Sequence, residues 1–148
     1  MNVEAVIKTD KEIPLKSRTI IHFMLVENHI NETIATALKP FEVSVQQFNV
    51  LRILRGQKNK PANLSTLNER MVTKMSNTTR LVDKLLTKGY VERRTCPSNR
   101  RKIEITITKQ GNSQLEKMDS AMIHAEEEIL KKLSIEELEQ LNLLFDKF

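Results

Sequence analysis

Between residues 73 and 102 stand nine basic side chains, Lys74, Arg80, Lys84, Lys88, Arg93, Arg94, Arg100, Arg101 and Lys102, against two acids, Asp83 and Glu92. The net charge of that stretch is +7, more than the +5 of the whole chain. Ammonium groups meet phosphates as point charges, whereas planar guanidinium groups also fork onto oxyanions and base edges. The arginines come in pairs, Arg93–Arg94 and Arg100–Arg101, on either side of Thr-Cys-Pro-Ser-Asn, where Pro97, Ser98 and Asn99 favour a turn. Beyond residue 113 the sign reverses to −5. Such an asymmetry predicts a polyanion-binding unit joined to a region kept off the polyanion.

Other chemistries lack their residues. His22, His29 and His124 are scattered, with no cysteine or carboxylate at ligand spacing, so no metal is expected. Without a Gly-rich phosphate loop, a nucleophile elbow or a triad-like set, neither an enzyme nor a cofactor is expected. Cys96 is the single cysteine, which excludes an intrachain disulfide and predicts a reducing compartment. Its thiol is either acidified by the neighbouring arginines or an incidental loop cysteine. The start, MNVEAVIKTDKE, has no signal-peptide core, and IIHFMLV at 20–26 is too short to span a bilayer. A soluble cytoplasmic protein is expected.

The elements that must position the basic residues are mostly helical. Ile20, Phe23, Ile30, Ile34 and Leu38 recur at helical spacing over about 15–38, and Pro40 closes the run. Ser44 and Gln47 form a capping box for a helix with Phe48, Leu51 and Leu54, ending near Gly56. A short helix carries Leu64, Leu67 and Met71; a second, about 74–88, carries Leu81, Val82, Leu85 and Leu86 and closes at Gly89. YVERR and KIEITIT alternate as a strand pair, with Ile103, Ile105 and Ile107 expected on the inner face. Thr108 caps a long helix stepping through Leu115, Met118, Met122, Ala125, Ile129 and Leu133, and Ser134…Glu137 opens the last one.

Two short helices followed by a basic-tipped hairpin form the pattern of a winged helix-turn-helix. The second helix would enter the major groove, and the wing would reach the neighbouring minor groove. On the helix, Ser76, Asn77, Thr79, Arg80 and Lys84 occupy the polar face opposite the leucines. Arg80 suits guanine, and the helix start suits phosphate. In the wing, Arg100 and Arg101 suit a narrow minor groove, while Lys102, Arg93 and Arg94 are expected on phosphates. The competing reading is a solvated helix face and a hairpin charged for solubility.

LNERMVTKMSNTTRLVDKLLTKGYVERR and NRRKIEITITKQG together resemble the MarR family of bacterial transcriptional regulators, and the likeness of element order covers nearly the whole chain. The resemblance implies that Ser76, Asn77, Thr79 and Arg80 lie on the recognition helix and that Arg101 enters the minor groove. Asn99 replaces the family's wing aspartate, and Val72 a frequent glycine of the turn. The fold expected is mostly α with a small β-hairpin wing, a winged helix-turn-helix plus a helical dimerisation region. Residues 1–40 hold the first helix, part of the dimerisation region; 41–112 hold the DNA-binding domain, with the recognition helix at about 74–88 and the wing at about 90–108; 113–148 hold the C-terminal dimerisation helices. Leu133, Leu138, Leu141, Leu144, Phe145 and Phe148 give that end more apolar surface than one flank needs, which predicts a homodimer.

The resemblance further implies double-stranded DNA as partner, a near-palindromic promoter site, repression, and release by a small aromatic or phenolic inducer. His22, Phe23, Phe48 and Arg52 are candidates to line an inducer cleft; a simple core with a satisfied histidine is the alternative. The rival function is a winged-helix protein-interaction adaptor without sequence-specific DNA binding.

Overall fold

The computed structural model describes residues 1–58, 60–73, 77–96 and 99–148, and for Arg100, Arg101 and Lys102 the backbone alone. The helices are α1 Val3–Ile7, α2 Leu15–Leu38, α3 Val45–Gly56, α4 Leu64–Arg70, α5 Thr78–Thr87, α6 Lys109–Leu130 and α7 Ile135–Phe145. A 3-10 turn spans Lys39–Phe41, and strands β1 Val91–Cys96 and β2 Asn99–Ile107 pair antiparallel. This is the mostly helical fold with a two-stranded hairpin that the pattern predicts. The chain divides into two compact units: residues 37–124, and residues 1–36 with 125–148.

The unit of residues 37–124 is built on a continuous apolar core. Ser44 Oγ accepts from the Gln47 amide at 3.2 Å and Gln47 Oε1 from the Ser44 amide at 2.9 Å, the reciprocal cap expected for α3. That helix buries Phe48, Val50, Leu51 and Leu54. Asn63 caps α4 through the Thr66 amide at 2.9 Å. The Ala62 and Ile105 backbones exchange hydrogen bonds of 2.9 and 2.7 Å, tying the approach to α4 onto β2.

Burial along the hairpin is uneven. Val91 at the strand root and Ile105 are buried, Ile107 opposite Val91 is half-buried, and Ile103, nearer the tip, is 37 % exposed. Alternation therefore gives the correct face but not the depth. At that root, Gly89 takes φ +72°, Thr108 Oγ1 donates to the Gly89 carbonyl at 2.7 Å, and the Gly111 amide donates to Thr108 Oγ1 at 2.9 Å. Thr108 thus joins the wing to α6 while capping it.

The other unit has little interior of its own. Among the described residues only Val3 and Ala125 of its apolar side chains are buried. No residue of α7 is buried, although its start carries the Ser134–Glu137 capping box. The spacing predicts α6 continuing to Leu133, but it closes at Leu130, because Ser134 opens the next cap and leaves Lys131–Leu133 as the link. Sequence periodicity gives no sign of α1, which Asn2 caps and a 2.6 Å Arg18–Glu4 ion pair holds.

Candidate nucleic-acid interface

Helix α5 is set by its apolar side. Thr78, Val82 and Leu85, spaced by four and three, are buried, and the Thr78 hydroxyl donates to Asn68 Oδ1 of α4, locking the helix pair. That buried threonine contact is invisible to hydropathy, which reads Thr78 as surface. The opposite face exposes Asn77, Thr79, Arg80, Asp83 and Lys84. Asn77 stands at the N-cap position without a side-chain capping bond. Among the described residues, Arg80 and Lys84 make no ion pair, so both charges remain available to a phosphate or base. Ser76 lies outside the described residues, as do positions 74 and 75 of the helix expected at about 74–88, and α5 is Thr78–Thr87.

The wing arginines divide. Arg93 Nη1 donates to Asp83 Oδ1 of α5 at 3.1 Å, and Arg94 Nε donates to Glu104 Oε2 on the facing strand at 2.8 Å. Arg94, then the Cys96 thiol, hold the Glu104 carboxyl below its ordinary range by hydrogen bonding to its charged form. Both arginines thus direct their charge at carboxylates within the fold. Cys96 pairs with Asn99, and a ladder continued regularly from that pair would set Arg94 opposite Arg101. The register shift between Thr95 and Cys96 brings Glu104 there instead, and no periodicity announces that shift. The side chains of Arg100, Arg101 and Lys102 lie outside the description; their backbone is in β2, next to the tip.

The four inducer candidates fall in different units. In one, His22 is half-buried, and the Phe23 ring lies 5.9 Å from Phe145 and 5.8 Å from Phe148. In the other, Phe48 is 2 % exposed, and the Arg52 guanidinium lies 5.7 Å from its ring centre. Arg52 also lines a notch of about 320 Å³ with Asn49, Ile53, Arg70 and Val72. Of the apolar C-terminal residues, Leu133, Leu144, Phe145 and Phe148 are exposed, Phe148 by 92 %, and Leu138 and Leu141 are half-buried. Among the described residues no group of three or more His, Cys, Asp or Glu side chains could hold a metal, and no helix is long and apolar enough to cross a membrane.

Two helices locked at their junction, with the second exposing a polar face beside an antiparallel hairpin, define a winged helix-turn-helix. The MarR family model matches residues 43–103. The MarR transcription factor of Planctomyces limnophilus is 25 % identical, with 93 % of this chain and 100 % of that one covered at a TM-score of 0.73. A cysteine-to-serine mutant of E. coli MarR, solved in complex with operator DNA, is 24 % identical over 90 % and 93 % of the two chains, with a TM-score of 0.76. BpsR of Bordetella bronchiseptica, whose DNA binding is regulated by 6-hydroxynicotinic acid, is 15 % identical over 93 % and 96 %, with a TM-score of 0.79. Residues 43–103 thus form a MarR-family domain, and over nearly its whole length the chain is similar in structure to MarR-family transcription regulators.

Proposed function

We propose that the protein is a homodimeric repressor that binds near-palindromic promoter DNA through α5 and the wing. The observation that carries the reading is the exposed Asn77–Thr79–Arg80–Lys84 face on a helix fixed from behind by Thr78, Val82 and Leu85. Arg80 reads a base edge, Lys84 and Lys102 meet phosphate, and Arg100 and Arg101 serve the minor groove. A homodimer is supported by α7, an apolar helix that buries no residue within its own chain. Two copies present two recognition helices, so half-sites lie about 10 base pairs apart or at a multiple of that spacing.

A small aromatic acid is the proposed releasing ligand. Arg52, beside Arg70 in an open notch, is the ligand candidate with a cation and space together. The test of the main reading is fluorescence anisotropy of the purified protein with the DNA upstream of its own gene and with a scrambled duplex, at several salt concentrations. Tight, salt-dependent preference for the upstream DNA is expected. Equal weak binding there and to duplexes selected from a random pool refutes a sequence-specific regulator.

A further inference from the structure

A carboxylate on the face of a helix that meets DNA works against binding, because phosphate repels it. Asp83 stands on that face of α5, one turn beyond Thr79 and Arg80. It does not face outward alone: its Oδ1 takes the 3.1 Å hydrogen bond from Arg93 of β1. Arg93 is directly opposite Ile105 and on the strand face of Val91, both of them buried, so the arginine begins on the side of the hairpin that packs against α5.

We propose that Asp83 and Arg93 form a positioning brace that sets the hairpin against the recognition helix, and that Arg93 is not a phosphate contact. The brace rests on the DNA-binding reading above for its purpose. With side-chain exposures of 43 % for Arg93 and 51 % for Asp83, the pair adds little to folding stability. What it fixes is an angle. Arg93 lies three residues before Cys96, the end of β1, a lever of roughly 10 Å at the rise of a strand. A tilt of about 5° at the brace displaces the tip by about 1 Å, enough to spoil a hydrogen bond to a groove edge. On the other face of the hairpin, the Arg94–Glu104 pair ties β1 to β2, so the wing swings as one body.

The experiment compares wild type, Asp83→Asn, Arg93→Gln and the double variant on a duplex selected from a random pool and on a scrambled duplex of equal length. Each single variant is expected to lose roughly three- to tenfold of its preference for the selected duplex, and the double variant to lose no more than the worse single one. Thermal midpoints stay within about 2 °C. If Arg93 instead touches phosphate, Arg93→Gln weakens both duplexes alike and lowers the salt slope by about 0.9 per protomer, while Asp83→Asn tightens both. That pattern, or unchanged preference in both single variants, overturns the brace. Hydrogen exchange of the wing amides without DNA gives an independent reading: faster exchange in both single variants supports the brace, and unchanged exchange overturns it. Wild type failing to select any duplex would defeat the regulator reading, with the exchange result still deciding the brace.

Discussion

Gly111 is the position where elementary propensity and this fold disagree in sign. It lies in the first turn of α6, and replacing a helical glycine by alanine ordinarily stabilises by up to about 1 kcal/mol. Here an added Cβ would stand 2.0 Å from the Tyr90 carbonyl oxygen and 2.9 Å from Ile107 Cγ1. Relief requires α6 and the wing root to part by about 1 Å, a distance set by ordinary van der Waals contact. Overpacking of that kind costs about 1–3 kcal/mol. The same carbonyl accepts the Thr108 amide at 3.0 Å, and loosening that bond adds about 1 kcal/mol. Gly111→Ala is therefore expected to be destabilising by about 2 kcal/mol net, which lowers the thermal midpoint by about 4–8 °C in a chain of this size. Thermal denaturation followed by circular dichroism at fixed protein concentration checks it, since a dimer's midpoint depends on concentration. An unchanged or raised midpoint would refute the close approach of α6 to the wing root.

Arg80→Ala should weaken binding to the selected duplex by roughly tenfold or more and flatten preference at one base pair, as competition with single-base variants would reveal. Leu144→Glu combined with Phe148→Glu puts carboxylates on two of the exposed apolar residues of the C-terminal end, and sedimentation should then shift from dimer to monomer; a persistent dimer would remove α7 from the interface. Glu104 has a folded pKa below its ordinary value of 4.5, so the stability it contributes is present above that value and lost as pH falls through the lowered one. Glu104→Gln should flatten the acid limb of the midpoint–pH curve, and a limb parallel to wild type would show that the pair with Arg94 does not form in solution.

The sequence made legible whatever repeats locally. The long helix at 15–38, both Ser-led capping boxes and the glycine after the recognition helix follow from spacing and cap chemistry within a few residues. What stayed hidden depends on partners distant along the chain. A five-residue helix such as α1 is too short to stabilise itself, and its ion pair joins Glu4 to Arg18 across fourteen residues. The buried Thr78 and the shift that brings Glu104 beside Arg94 likewise come from tertiary packing and strand register. For the interface, residue type identified Arg80 and Lys84 as exposed cations. It could not separate them from Arg93 and Arg94, because a guanidinium that binds phosphate and one that binds a carboxylate have the same spelling.

That distinction changes the expected salt dependence. Counted from sequence, residues 73–102 offer nine cations per protomer, and at about 0.9 counterion per phosphate the slope of log K against log salt would reach roughly −8. Among the described side chains, three are engaged with acids of the same unit: Lys88 with Glu42 at 3.0 Å, Arg93 with Asp83 and Arg94 with Glu104. An ion already paired with a carboxylate brings no net charge to the DNA and displaces no further counterion. The remaining six, Lys74, Arg80, Lys84, Arg100, Arg101 and Lys102, limit the contribution of this stretch to about −5 per protomer. Anisotropy titrations from about 50 to 200 mM salt measure it directly, with the value halved for the two protomers of a dimer. A slope near −8 per protomer would mean that the three pairs open on the DNA, exchanging protein carboxylates for phosphates, and the stem would then be part of the contact surface.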